Sequence, residues 1–138
     1  MPLDHHRKSR VDAWISAFED AVRKRDYERG RDLFCNNVES FGTVAAHVEG
    51  LDCLEADQWH IVWPRTENFS FEPESKRYIV SNDYVVVLAR WSSRDLNCED
   101  AQNLRSGRCT IVLREIGAAQ EHMQACHTHF SINPGSSA

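Results

Sequence analysis

The sequence has no apolar run that could cross a membrane. Its longest, Tyr84 to Ala89, falls far short of the ~20 residues that a spanning helix needs. Basic residues are not in excess either, because 16 lysines and arginines stand against 21 aspartates and glutamates, which gives a net charge of −5. A mildly acidic chain is a poor candidate for binding nucleic acids or anionic membranes through charge. We therefore predict no nucleic-acid partner and no membrane partner.

The amino-terminal segment also lacks the apolar stretch of a secretory signal peptide, and no two of the 5 cysteines have CxxC spacing. An odd number of cysteines without such a signal is typical of a reducing compartment, so we predict a cytoplasmic protein with free thiols. Cys98 lies in a polar stretch and is expected to be the most reactive of them. No cofactor is predicted.

The length and the apolar content fit one domain. A chain of 138 residues that is 41% hydrophobic can bury a sizeable core, and it is too short for two ordinary domains. We predict a single domain over residues 9–134, with flexible tails at 1–8 and 135–138.

The first part of the chain predicts three helices. The first runs from Ser9 to Arg25, with Ser9 as its N-cap, and its apolar face has helical spacing: Val11, Trp14, Ile15, Phe18 and Val22. A shorter helix is predicted from Tyr27 to Phe34 and a third from Leu51 to His60. Between them, Val38 to Val48 reads as one strand, or as two strands bent around Gly42.

After Pro64 the hydrophobic period changes to two, which predicts strands. The predicted strands are Asn68 to Glu72, Arg77 to Val80, Tyr84 to Ser92, Arg108 to Glu115 and Met123 to Ile132. Ser81-Asn82-Asp83 is a hairpin turn, and Asp95 to Arg105 reads as a loop. Three helices followed by long strands predict an α+β fold, in which a curved antiparallel sheet wraps as a cone around the first helix. The open mouth of such a cone can hold a ligand.

Arg108 is the first candidate site residue, because it opens a strand that is otherwise apolar. A guanidinium inside a cone forms bidentate pairs with a ligand carboxylate or phosphate. Two alternatives stay open, namely an internal salt bridge to Glu55 or Asp57 and a solvated position at the rim. Thr110 follows on the same strand face and is a further candidate.

His127 and His129 lie on one face of the last predicted strand. Histidine is the best general base near neutral pH, so the pair is the catalytic candidate. The pair could also bind a metal with Cys109, Glu115 or His47 as a third ligand, but none has a telling spacing, and no metal is predicted. A structural role at a dimer surface is the favoured alternative.

Three tryptophans adjoin the predicted pocket: Trp59, Trp63 and Trp91. Aromatic walls suit a flat or apolar small molecule. For any single tryptophan, packing in the core is the more common role.

Several segments together resemble the nuclear-transport-factor-2-like superfamily, in its SnoaL-like branch. The resemblance covers about Ser9 to Pro134 and depends on these pieces: the opening helix with Asp26-Tyr27, Trp59 to Pro64 with Phe69 and Phe71, Ala89 to Ser92, Gly107 to Leu113, and His127 to Pro134. It implies a cone-shaped α+β fold that dimerises through the outer face of its sheet. It does not imply one activity, because members include isomerases, cyclases, dehydratases and noncatalytic modules.

The resemblance argues against steroid isomerisation and points to two arginines. The positions of the isomerases' tyrosine, aspartate base and second acid are held here by Phe18, by the stretch 39–42 and by Cys109 or Thr110. In the similar association domain of calcium/calmodulin-dependent protein kinase II, arginines line the pocket. Arg90 and Arg108 fall at two of those positions, and Phe130 at the third.

The predicted function is the binding, with or without conversion, of a small, partly apolar molecule that carries an acidic or carbonyl group. Arg108 and Arg90 would hold its polar end, the tryptophans would form walls, and His127 or His129 would transfer a proton. The alternative is a noncatalytic homodimeric module. A homodimer through the sheet is predicted in both cases, since the strands Tyr84 to Leu88 and Cys109 to Leu113 have apolar residues on both faces.

Overall fold

A computed structural model describes residues 3–96, 104–117 and 122–135. Cys98 and the middle of the predicted loop therefore lie outside the described residues. The helices are α1 (His5–Lys24), α2 (Tyr27–Asp32), α3 (Leu51–Leu54) and α4 (His60–Val62). The strands are β1 (Phe34–Phe41), β2 (Val48–Glu49), β3 (Thr66–Phe71), β4 (Arg77–Val80), β5 (Tyr84–Asp95), β6 (Leu104–Ile116) and β7 (His122–Ile132).

The strands form one curved sheet in the order β2-β1-β7-β6-β5-β3, with β4 also paired to β5. All described pairings are antiparallel except β1 with β7, which is parallel. The α+β cone expected from the sequence is confirmed. The parallel contact was not expected, and it arises because the helical segment after β2 returns the chain to the far edge of the sheet.

Helix α1 fills the cone with the face that the periodicity predicts. Val11, Trp14, Ile15, Phe18 and Val22 are all buried. The Trp14 Nε1 group donates to the Leu33 carbonyl oxygen at 2.8 Å, which fastens the helix to the start of β1. A long apolar helix face against a curved sheet accounts for most of the core.

The start of α1 is corrected by the structure. The helix begins at His5, because the Asp4 side chain accepts from the Arg7 backbone N–H and caps it. The predicted cap, Ser9, lies inside the helix, and half of the predicted flexible segment 1–8 is helical. Arg7 and Arg10 both reach Glu115 of β6, so the first turn is held to the sheet.

This ion pair gives a testable prediction. Glu115 is 9% exposed and accepts from Arg7 Nε at 2.8 Å and from Arg10 Nη2 at 3.0 Å. We expect Glu115→Gln to lower the free energy of unfolding by about 2 kcal/mol, since charged hydrogen bonds are lost at a poorly solvated position. Urea unfolding measures the loss. Asp12→Asn is the control on the same helix, because its pair with Lys8 is exposed to solvent and contributes little to stability. Equal losses in the two variants would contradict the prediction.

The structure also bears on the smaller predictions about turns, thiols and membrane spans. Asp26 caps α2, and the Ser81–Asp83 turn joins β4 to β5 as expected. The four described cysteines are free, and burial raises the pKa of Cys109 to about 12. Within the described residues, no helix is long and apolar enough to span a membrane.

Candidate ligand site in the cone

A cavity lies between α1, the helical segment 51–65 and the inner face of the sheet. About 70 Å³ of it can hold the centre of a water molecule. Its described lining is mostly apolar, with polar groups at a few points: Phe18, Val22, Phe34, Ser40, Phe41, Gly42, Thr43, Leu54, Gln58, Trp59, Val62, Trp63, Thr66, Phe69, Trp91, Ser93, Arg105, Thr128 and Phe130. This composition is typical of small-molecule sites.

The three predicted tryptophans all line this cavity. Trp59 and Trp63 stack with ring centroids 4.5 Å apart, and Tyr27 stacks on the other side of Trp63 at 5.2 Å. Gly30 makes the stack possible, because a Cβ there would lie 2.7 Å from the Trp63 ring. All three tryptophans are buried, so each is at once a core residue and a wall of the cavity.

A π-helical turn, Glu55–Trp59, interrupts the helix that was predicted from Leu51 to His60. The extra residue in this turn places Gln58 and Trp59 in the cavity wall. Gln58 Oε1 accepts from the Ala45 N–H at 2.7 Å and from the Val44 N–H at 3.2 Å. The connection between β1 and β2 is thereby held beside the cavity by one side chain.

Neutral hydroxyl groups supply most of the other polar lining. Ser40 and Thr128 share a hydrogen bond of 2.6 Å, and Thr66 Oγ1 donates to the Val62 carbonyl oxygen at 2.6 Å. Ser93 is also buried in the wall. These hydroxyls can donate to or accept from a polar group on a ligand.

Arg105 is the one cation of the described cavity lining, and the sequence analysis missed it. It lies on the inner face of β6, opposite Ser93 of β5, with its guanidinium carbon 6.0 Å from the centre of the Trp91 ring. Burial lowers the pKa of Arg105, an effect that nearby Asp95 partly opposes. The sequence did contain a signal for this position. Arg105 is an even number of residues from Cys109, Ile111 and Leu113, so in a continuous strand it lies on the same, core-facing side.

The expected positions of Arg108, Arg90 and Thr110 inside the cone are corrected. All three lie on the outer face of the sheet, where Arg108 is opposite Arg90 and both are exposed. Arg108 contacts Ser131 at 3.4 Å, and Arg90 pairs with Glu72 at 3.2 Å. The physical reason is strand alternation, because Thr110 and Val112 share their face while the more apolar face turns inward.

His127 and His129 also lie on the outer face. Thr128, between them, points into the cone, and the rings of both histidines contact the ring of Phe41. His127 Nδ1 is 2.8 Å from the Glu39 carbonyl oxygen. The proton-transfer role predicted for the pair in the cone does not fit this placement. Within the described chain, the one trio with metal-ligand geometry is the exposed Glu39, His47 and Glu49, which includes neither histidine of the pair.

Two of the positions compared with steroid isomerases do face the cavity. Phe18 of α1 lines it, and so do Ser40, Phe41 and Gly42 of the stretch 39–42. None of these four residues carries a phenol or a carboxylate, and the Ser40 hydroxyl shares a hydrogen bond with Thr128. The sequence-based argument against steroid isomerisation therefore applies to side chains that lie in the cone.

Solved structures resemble the chain over nearly its whole length. A protein of unknown function with a cystatin-like fold from Nostoc punctiforme is 14% identical, with a TM-score of 0.76 over 98% of this chain and 97% of that one. An NTF2-like protein from Pseudomonas putida is 19% identical, with a TM-score of 0.76 over 94% and 89%. The chain has the nuclear-transport-factor-2-like fold. At these identities the NTF2-like resemblance concerns the fold, and function must be argued from the site.

A further NTF2-like protein, from Salmonella enterica, is 16% identical, with a TM-score of 0.75 over 95% of this chain and 96% of that one. No family model and no curated protein matches the sequence. Membership of the SnoaL-like branch stays a prediction.

Proposed function

We propose that this NTF2-like chain binds a small, partly apolar molecule with an acidic or carbonyl group in its cone. The observation that carries the proposal is the aromatic cavity with few polar groups, formed by α1, the segment 51–65 and the sheet. The described lining offers apolar walls, hydroxyls, one amide and one guanidinium. These groups bind and orient a molecule, so the proposal is binding, and conversion is left to an activity screen.

The size of the cavity limits the ligand. At 10–15 Å³ for each water centre, 70 Å³ corresponds to roughly five water molecules. This volume is about half that of the roughly 150 Å³ dry apolar cavity that takes up benzene. A short branched chain fits inside it and a single ring extends toward its open side, whereas a steroid nucleus does not fit without a change of shape.

Thermal unfolding with a panel of single-ring compounds tests the proposal. Alcohols, ketones and acids that share one ring are compared, and at least one of them is expected to raise the melting temperature increasingly as its concentration exceeds its Kd. Val62→Trp should abolish the effect, because Val62 lines the cavity and a larger side chain fills it. Ile61→Trp is the control, since Ile61 is 46% exposed and lies outside the lining. No shift with any compound would contradict the proposal.

A noncatalytic homodimeric module is the second candidate. The outer face of β5 and β6 carries Val86, Leu88 and Val112, all half-buried in the single chain. A second copy related by a two-fold axis would cover them. Light scattering at micromolar concentration should give a dimer for the wild type and a monomer for Leu88→Glu. Ile61→Glu, on another face, should remain dimeric, and a monomeric wild type would contradict this candidate.

A further inference from the structure

Arg105 differs from the other arginines near the cone in its surroundings. Its side chain is half-buried in the cavity wall, between Trp91 and the inner face of β6. Among the described residues, its guanidinium has no ion pair and no hydrogen bond, and its contact with the Trp91 ring is a cation–π interaction. A guanidinium with five donors beside apolar walls is costly to bury without an acceptor.

The described acid that influences Arg105 also pairs with another arginine. Asp95 Oδ2 accepts from Arg65 Nη2 at 3.0 Å, and Asp95 is 14% exposed in its side chain. Both Arg65 and Asp95 influence the pKa of Arg105 electrostatically, in opposite directions, so they lie close to it. Among the described residues here, two guanidiniums and one carboxylate leave one positive charge, and Arg105 is the one charged residue of the described lining.

We infer that Arg105 makes the cone prefer ligands with a carboxylate over ligands with a neutral carbonyl, and that the ligand is a single-ring or similarly short monocarboxylate. This inference rests on the proposed function. The carboxylate would lie against the guanidinium in a bidentate pair, and the apolar body would lie among Trp91, Phe69 and Phe130. The Ser93 hydroxyl, opposite Arg105 in register, can donate to the same carboxylate.

Charge and shape favour a carboxylate over the other acceptors. A neutral carbonyl would leave the half-buried positive charge of Arg105 uncompensated, whereas one carboxylate balances it. A phosphate carries more charge and has no flat apolar body of its own, so it would leave much of the aromatic wall without a contact. A planar guanidinium matches a planar carboxylate edge to edge.

The test compares benzoate with its neutral analogue benzamide by calorimetry on the purified chain. Wild type should bind benzoate at least tenfold more tightly than benzamide. Arg105→Gln should weaken benzoate binding by about tenfold to hundredfold, which is the usual loss for a charged hydrogen bond. It should leave benzamide binding unchanged. Arg105→Lys should retain part of the preference for benzoate over benzamide, because lysine keeps the positive charge but cannot form the bidentate pair.

Arg108→Gln is the matched control. Arg108 is on the same strand, is exposed on the outer face, and should leave both affinities unchanged. Circular dichroism and melting of each variant show that it is folded, and Arg105→Met is used if the glutamine variant is not.

The possible failures are distinguishable. If neither compound binds the wild type, and the wider panel also fails, the proposed function is wrong. If both compounds bind with equal affinity and Arg105→Gln changes neither, the cone binds small molecules but the inference about Arg105 is wrong. If Arg108→Gln weakens benzoate binding instead, the anion site is on the outer face and the inference is equally wrong.

Discussion

Gly107→Ala is expected to abolish folding, or to lower the free energy of unfolding by at least about 3 kcal/mol. Gly107 is buried on the inner face of β6, between Trp91 of β5 and Ile132 of β7. A Cβ at this position would lie 1.8 Å from the Ser131 carbonyl oxygen and 2.6 Å from the Trp91 ring. The first contact is with backbone, which cannot move without breaking the β6–β7 pairing.

Two variants sharpen this test. Arg108→Ala, at the neighbouring exposed position, should change stability by less than about 0.5 kcal/mol. Gly107→Ala combined with Trp91→Leu removes the ring but leaves the clash with Ser131, so it should not restore the stability of the single variant. Chemical unfolding followed by circular dichroism measures all three. A double variant that is as stable as Trp91→Leu alone would show that the ring, and not the backbone, excludes a side chain.

The fold could be predicted from the sequence because its main signals are repetitive. Val11, Trp14 and Phe18 repeat with the helical period, and the late strands alternate, so one buried face is specified many times over. Each such position must be apolar for the core to form. The order of three helices and then long strands leaves few arrangements that bury all these faces.

The site was less predictable, because each of its polar residues occurs once. Arg108 and Arg105 are three residues apart, so they lie on opposite faces of the strand. Arg105 can be recognised as the inward-facing arginine only if β6 is known to begin before it, at Leu104. The polar residues before Gly107 read as a loop, whereas they pair with the end of β5. Pairing with a neighbouring strand is a tertiary effect that local composition does not report.

The prediction that the two histidines act inside the cone was wrong for a related reason. The alternation of His127, Thr128 and His129 predicts that the two histidines share a face, and this is confirmed. It does not say which face is inside, because both faces of β7 carry mixed residues. The buried bond between Thr128 and Ser40 decides the orientation, and that bond joins strands 88 positions apart in the sequence.

Phe18→Ala is expected to lower the free energy of unfolding by about 3–5 kcal/mol, the usual cost of removing a buried phenyl ring. Phe18 is 4% exposed and is the centre of the aromatic core. Its ring contacts six others: Trp14, Phe34, Trp63, Phe69, Phe71 and Phe130. Typical domain stabilities are about 5–15 kcal/mol, so the variant should be marginal but measurable at low temperature.

The same substitution should also enlarge the ligand that the cone accepts. Phe18 lines the cavity, so removing its ring joins new volume to the existing space. A two-ring acid such as 2-naphthoate should raise the melting temperature of Phe18→Ala more than that of the wild type, whereas benzoate should not gain. Tyr84→Ala is the control, because Tyr84 is 40% exposed and lies outside the described lining, so its loss should cost about 1 kcal/mol or less without changing the preferred size. If Phe18→Ala is destabilised but gains nothing from the larger acid, the ring supports the core without setting the depth of the site, because the neighbouring aromatics have moved into the space it leaves.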